Sequence, residues 1–529
     1  MTDWLGIHIL SFITFLPLFL ALLVLASPTQ RLAHGLAIGG SLLNFLASLH
    51  LWYHFQVDTP SLQFVEKYTW LPSLGIQFFA GVDGLNLLLI ILSCFLTPCV
   101  LVSLWGSTQP YLKAFLAALL VLETGMIGAL VAFDLVFFYV FWELMLIPMY
   151  FIIGIWGGSN RIYATTKFII YTAFGSLLML AAAIVLYIIH FREYGFYSTN
   201  LLDLYKVTSM DFHTQSYLFL AFALAFAIKV PIWPFHTWLP HAHTEAPTSG
   251  SVILAGVLLK MGTYGFLRFA LPLFPEALVH YSPLLLGLGV VGIIYGALMA
   301  WMQQDAKRLV AYSSVSHLGF VVIGSVVILN DKLSEEALTG ALYQMINHGI
   351  STGALFFLVG MIYERRHTRL LADFGGLAKV MPWFAFSLII ATLGSIGLPG
   401  TGGFVGEFLI LLGVFKFNPI VGVLAASGVV LGAIYMLSLV LKIIFGPLEN
   451  EANKNLKDMG AIEKIYMLPL CVLILLMGIY PNVFLDKTRA SVHYLAENIM
   501  HYRLSVISED QRASNSTNIN ISDEPSVAR

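Results

Sequence analysis

Residues 220–234 read LAFALAFAIKVPIWP. Nine apolar residues lead into Lys229, and Pro231 and Pro234 follow at once. The run extends over 216–238 with no other Asp, Glu, Lys or Arg, about the 20 residues that cross a bilayer. A lysine at mid-depth in hydrocarbon costs about 2.5–3.5 kcal/mol. Proline removes an amide donor and clashes with the preceding turn. Freed backbone groups at that depth are tolerated only against protein or water. The stretch therefore reads as a broken transmembrane helix carrying a buried cation, and the break predicts a wet spot beside it.

The same reading repeats along the chain. Fourteen spans are expected, at 7–26, 33–53, 83–105, 111–131, 135–156, 163–190, 216–238, 248–271, 283–302, 308–329, 337–361, 382–415, 420–446 and 463–481. Charged residues make up 11% of the 529, against about 25% in soluble proteins. Hydrophobic residues reach 58%, and the mean hydropathy is +0.84. Too few charges remain to coat a soluble globule of this size, which excludes a soluble enzyme or a secreted scaffold. A net charge of −2 offers no basic field for nucleic acid. Strand alternation of period two is absent, which argues against a barrel. The fold class is an all-α polytopic membrane protein of about 14 transmembrane helices. Cys94, Cys99 and Cys471 lie in apolar runs. They fit neither a disulfide framework nor a zinc cluster, and they read as buried structural thiols.

Orientation follows from the basic residues between spans. Loops after odd-numbered spans hold 14 Lys and Arg, and loops after even-numbered spans hold 6. The odd loops are expected on the cytoplasmic side of a bacterial inner membrane, with both termini on the periplasmic side. The first basic residue is Arg31, so 1–26 lacks the basic start of a cleaved signal peptide and reads as a retained helix. The stretch 506–529 is rich in Ser, Asn, Asp and Glu and is expected to be a disordered polar tail. The sequons at Asn515 and Asn520 matter only in a glycosylating compartment.

Lys229 is not alone. Lys260, Glu123, Glu143 and Glu407 also lie inside apolar spans, as do His317 and His348. One such pair would suit a static packing role, and each histidine by itself reads as a packing residue. For purely structural ends, apolar packing is no worse than buried charge, so five buried charges point to a charge path. A buried lysine beside a carboxylate keeps its proton, and loses its hold on it when the partner is removed or protonated. Histidine can relay protons near neutral pH. A second break, GLPGTGG over 397–403, precedes Glu407. Matched breaks beside ionisable residues are a pointer to inverted repeats. The five spans of 111–271 and the five of 283–446 each carry their break in the fourth member. They read as two repeats, flanked by three N-terminal helices over 1–106 and a final helix over 463–485. His236, His241, His243 and Glu245 cluster in one loop, which fits helix capping or an interface better than a metal.

These segments resemble the antiporter-like, M-type membrane-arm chains of respiratory complex I, the proton-pumping NADH:quinone oxidoreductase. The resemblance rests on FWELMLIPMY at 141–150, KVP at 229–231, WLPHAHTEAPT at 238–248, KRLVAYSSVSH at 307–317, YERRHTR at 363–369 and LPGTGGFVGEF at 398–408. It covers about 75–485. It implies a fourteen-helix subunit in which two inverted repeats form linked half-channels. The glutamate matching Glu143 pairs with the lysine matching Lys229. Lys260, His317 and His348 match the central path, and Glu407 matches its outer end. Glu123, His236 and His241 are carried as secondary positions. His241 stands where the family often has an acid, which leaves the inlet loop less defined. The resemblance implies no metal and no cofactor on this chain, with NADH, FMN, iron–sulfur clusters and quinone on other subunits. Its implied partners are the other membrane-arm subunits, including two further antiporter-like chains, and lipid, with no nucleic acid. No long amphipathic helix follows 485, unlike the larger distal antiporter-like subunit. The alternatives are a subunit of a multisubunit cation/proton antiporter and a structural scaffold whose charges only pack helices.

Overall fold

In the computed structural model, residues 8–330 and 332–498 are described. The polar tail expected over 506–529 lies outside them. The chain is built from α-helices: α1 Ile9–Ala26, α2 Gln30–His54, α3 Leu87–Ser103, α4 Leu112–Val131, α5 Leu135–Trp156, α6 Arg161–Tyr194, α7 Phe212–Lys229, α8 Trp238–Glu245, α9 Thr248–Leu273, α10 Pro275–Trp301, α11 Ala306–Val326, α12 Glu335–Arg366, α13 Pro382–Ser395, α14 Gly402–Phe417, α15 Pro419–Ile443 and α16 Ala461–Ile479. Eleven of them are long and apolar enough to cross a membrane as single helices. The other three expected spans are the 17-residue α3 and the two broken ones, α7–α8 and α13–α14.

Helix starts follow the capping chemistry of the sequence. Asp134, Asp211, Asp305, Ser334 and Asn418 each accept backbone N–H groups at the head of a helix, filling donors that have no intrahelical partner. One unpredicted element is a hairpin, β1 Gln63–Leu71 against β2 Ile76–Val82. It buries Glu66, whose carboxylate accepts from Leu10 N (2.7 Å) and Ser11 N (3.1 Å) at the start of α1. A carboxylate suits that end of a helix dipole.

Both breaks fall where the sequence places them, and protein meets their freed carbonyls. After Lys229 the helix opens over 230–237. The indole of Trp238 then donates to the Ile228 carbonyl at 2.8 Å, so an aromatic N–H fills the position where water was expected. In the second break Gly397 (φ 71°) and Gly400 (φ 92°) adopt left-handed backbone, which costs glycine little. Thr401 Oγ1 caps the Leu398 carbonyl at 2.7 Å. A side chain at Gly403 would meet the Gly394 carbonyl at 2.2 Å, so only glycine lets α14 restart there.

The core lies along α9, α11 and α12, whose most apolar windows are wholly buried, whereas those of α6, α15 and α16 are only 33% buried. Odd and even loops gather at opposite ends. Lys307 bonds the Ala246 carbonyl, Arg369 pairs with Asp305 (3.2 Å) and Arg365 with Glu463 (2.7 Å) at the odd end. Arg268 pairs with Asp83 (2.6 Å), Thr199 bonds Asp134 (2.5 Å) and Lys332 meets Glu497 (2.5 Å) at the even end.

Candidate functional site

Four of the sequence-selected residues form one file through the buried core. Lys260, fully buried on α9, places Nζ 2.7 Å from His348 Nδ1 on α12. The ring of His348 lies 5.8 Å, centroid to centroid, from that of His317 on α11. His317 Nδ1 is 3.0 Å from Glu407 Oε1 on α14. Gln344 Nε2 donates to the same Glu407 oxygen at 2.9 Å, and Ser395 Oγ (3.2 Å) and the Tyr435 hydroxyl (3.3 Å) flank His317 Nε2.

Local sequence explains how these groups converge. Gln344, Asn347, His348 and Ser351 recur at helical spacing, so α12 shows one polar stripe inside an otherwise apolar helix. Around Lys260 the helix widens. Leu254–Leu258 forms a π turn, in which Leu259 N–H bonds back five residues to Leu254. The Ala255 carbonyl is thereby left to accept from the Lys260 ammonium. Such single wide turns recur at functional positions. Gly262 brings α9 against α7, since a side chain there would meet the Phe226 carbonyl at 2.8 Å.

The first half is arranged differently. Lys229 is buried on α7, and its ammonium lies 5.0 Å from the centre of the Trp142 ring. Glu143 is the next residue in the chain after Trp142. The pairing implied by the resemblance is thus one of field, since among the described residues no contact ion pair joins the two. Glu143 is only half-buried. Its Oε1 is buried without a partner.

The secondary positions stand apart from the file. Glu123 is buried on α4 and accepts from Asn44 Nδ2 at 2.9 Å, while its other oxygen has no partner. His236 packs edge-on against Tyr295 and His241 against Tyr163, at 5.1 and 5.2 Å. His243 is fully buried against Phe356, with both ring nitrogens unpartnered. Glu245 caps the start of α6 by accepting from Asn160 N at 2.9 Å. Among the described residues the His and acid side chains close enough to share an ion are instead Glu335, His493 and Glu497 at the even end. There His493 already pairs with Glu335 and Glu497 with Lys332.

Two buried cations escaped the sequence reading. Lys307 and Arg268 count as loop residues by position, yet both are buried. Lys307 lines a cavity of about 770 Å³ at the odd end, with Glu245, Glu364, His367 and Arg369 also on its wall. The signal for both was a charge at the edge of an apolar run, Lys307 just before one and Arg268 in the last turn of another, where span edges are hardest to draw.

Comparisons with known proteins give the family and the fold. Residues 132–433 match the family model described as NADH:quinone oxidoreductase/Mrp antiporter, TM. The chain is 43% identical over 496 residues to NADH-quinone oxidoreductase subunit M of Rickettsia prowazekii (strain Madrid E), covering 93% of this chain and 99% of that one. It aligns with a chain of respiratory complex I from Thermus thermophilus with bound NADH at TM-score 0.83 and 33% identity, over 93% of this chain and 99% of that one. A chain of the Mrp complex from Dietzia sp. DQ12-45-1b shares the fold, with TM-score 0.81 at 20% identity over 95% and 99% of the two chains.

Proposed function

The chain belongs to the NADH:quinone oxidoreductase/Mrp antiporter family as an antiporter-like membrane subunit of complex I, and from that premise we propose that it carries protons along Lys229, Lys260, His348, His317 and Glu407. The other subunits of complex I are its partners, and the cofactors of the complex lie on other subunits. The observation that carries the proposal is the file from Lys260 to Glu407, hydrogen-bonded at Lys260–His348 and at His317–Glu407, with the two imidazole rings 5.8 Å apart between them.

In this reading Glu143 is a lever. Redox chemistry elsewhere shifts the charge that Glu143 feels, and a weakened field at Lys229 frees its proton toward Lys260. The proton then passes the two histidines to Glu407 and leaves. Moving one charge against 100 mV costs about 2.3 kcal/mol. Each pKa unit is worth about 1.36 kcal/mol, so a change of under two units at one lysine suffices.

The finer organisation follows the same reading. Odd loops face the cytoplasm and both termini the periplasm. The spans of 111–271 and 283–446 act as two inverted repeats. This chain itself holds no NADH, FMN, iron–sulfur cluster, quinone or metal, and two further antiporter-like chains adjoin it in the membrane arm.

The deciding experiment is His348→Phe in assembled complex reconstituted into vesicles. NADH-driven quinone reduction should persist, because its chemistry is on other subunits, while proton uptake per NADH drops. Unchanged uptake per NADH would reject the path. Co-purification with flavin and iron–sulfur subunits separates this reading from a free-standing cation/proton antiporter.

A further inference from the structure

Lys260 has a second neighbour along its own helix. Arg268 lies eight residues on in α9, about 12 Å at the helical rise, toward the even end. It is buried, and its guanidinium grips both oxygens of Asp83 at 2.6 Å. It sits 4.5 Å from the centre of the Phe133 ring, and its Nε donates to the Tyr264 hydroxyl at 3.2 Å. Tyr264 donates onward to the Leu130 carbonyl (2.8 Å), and Tyr205 donates to the Arg268 carbonyl (2.6 Å). Asp83 Oδ1 also accepts from Leu85 N at 2.9 Å.

Around the cluster, α7 and α9 pack through aromatic rings. Phe226 contacts Phe222 and Phe266, at 6.0 and 5.6 Å between ring centres, and Phe269 lies 4.0 Å from Phe138.

The contrast with the file is chemical. A proton wire needs groups with a free donor or acceptor site. The file has them: His348 Nε2 and Asn347 Oδ1 are buried without partners. In the Arg268 cluster the hydroxyls and both carboxylate oxygens are committed. Arginine cannot be deprotonated in a protein, and a fixed arginine raises the barrier to protons in a pore.

We propose that the Arg268–Asp83 cluster, with the aromatic packing around it, is an outward seal that keeps a proton on Lys260 from leaving through the first half, so that it goes to His348 instead. This rests on the proton-path reading above. Arg268 and Asp83 are positioning residues here and carry no proton themselves.

The test uses the whole complex in proteoliposomes without NADH, with passive proton leak read from the decay of an imposed pH gradient. Asp83→Asn and Arg268→Gln should each raise the leak several-fold while NADH oxidation persists. The exchanged double variant, Asp83→Arg with Arg268→Asp, should return the leak toward the starting value. Adding Lys260→Met to Arg268→Gln should abolish the excess leak. Tight vesicles from assembled Asp83→Asn or Arg268→Gln complex overturn the seal. Should these variants fail to assemble, Thr263→Cys in the otherwise unaltered complex still decides. A membrane-impermeant thiol reagent applied from the even-loop face should leave it unmodified, and labelling would overturn the seal. Because the leak is measured at rest, its outcome is separate from the pumping test. Tight vesicles from Arg268→Gln complex together with lost pumping in His348→Phe would sink the seal and leave the proton path standing.

Discussion

The two halves of the molecule hold their charges in different ways. Along the central file, Lys260 at the end of the first repeat and His348, His317 and Glu407 of the second sit at hydrogen-bond or ring-contact distance on α9, α12, α11 and α14. In the first half, no contact ion pair joins Lys229 and Glu143 among the described residues, which leaves a field between them, with Trp142 under the ammonium. Contact suits transfer, because a proton moves only across short donor–acceptor steps. A field suits control, because a charge can be tuned from a distance without rebuilding a bond. Burial follows the same division. Lys260, His317 and His348 lie on helices whose apolar windows are wholly buried and Glu407 is itself buried, whereas Glu143 is half-buried, beside Val140 and Ile147 on the open side of α5. In the proposed reading, the sensing pair is at the rim and the conducting file at the centre.

The largest expected effect comes from breaking the central file at its lysine. Lys260→Met keeps volume and removes the proton-bearing group. A positioned acid–base group contributes roughly 10²–10⁴-fold, so transfer through this chain should fall by about 100-fold or more. NADH-driven acidification of inverted vesicles, normalised to assembled complex, is the measurement. Near-normal acidification would mean that the file is only packing.

The next test sharpens the difference between field and contact. Glu143→Asp shortens the side chain by one methylene and keeps the charge, so a through-space lever should retain about half or more of its effect, as the gentle distance dependence of Coulomb interaction requires. Glu407→Asp pulls the carboxylate out of reach of His317 Nδ1, now at 3.0 Å, where hydrogen bonds fail quickly. Pumping should therefore suffer much more from the change at 407 than from the same change at 143. Equal losses would erase the distinction between the halves.

Much of this was legible in the sequence. The fourteen spans, the two breaks and the residues of the file all follow from apolar length, helix breakers and misplaced charge. What sequence could not carry was contact. Lys229 and Lys260 look alike in the chain, each a lysine in an apolar run, yet one rests on an indole and the other on an imidazole and a carbonyl. That difference arises from the π turn at Leu254–Leu258 and the close pass at Gly262, which no hydrophobic pattern announces. The hairpin that supplies Glu66 was missed because 54–82 falls between spans, where the reading had only charge to count. The Trp238 indole, 10 residues on, meets the Ile228 carbonyl freed at the break, a contact that no hydrophobic pattern announces.

A smaller effect is expected at Trp142. Its ring face holds the Lys229 ammonium at 5.0 Å, and a desolvated cation–π contact is worth about 2 kcal/mol with tryptophan best among the rings. Trp142→Phe keeps a ring and part of that attraction, so the loss should be about 1 kcal/mol, or a few-fold in pumping rate. It should add to the loss of Glu143→Asp if ring and carboxylate act on the ammonium separately, a condition a double-mutant cycle measures directly.

The smallest effect is expected at Glu123, and it tests where the path ends. Glu123 is as buried as Lys260, but its recorded side-chain partner is Asn44 on α2, and it shares its surroundings with Cys94 on α3. It therefore ties the N-terminal helices to α4 and stands outside the sequence of short steps. Glu123→Gln keeps the shape and a carbonyl acceptor for Asn44. Pumping per NADH should stay within about twofold, while losing the acceptor in Glu123→Ala should cost about 1–3 kcal/mol of stability through the unpaired Asn44 amide, read as a lower thermal midpoint for the complex. A large pumping loss in Glu123→Gln with assembly intact would extend the path into the first three helices and remove the division between a sensing rim and a conducting centre.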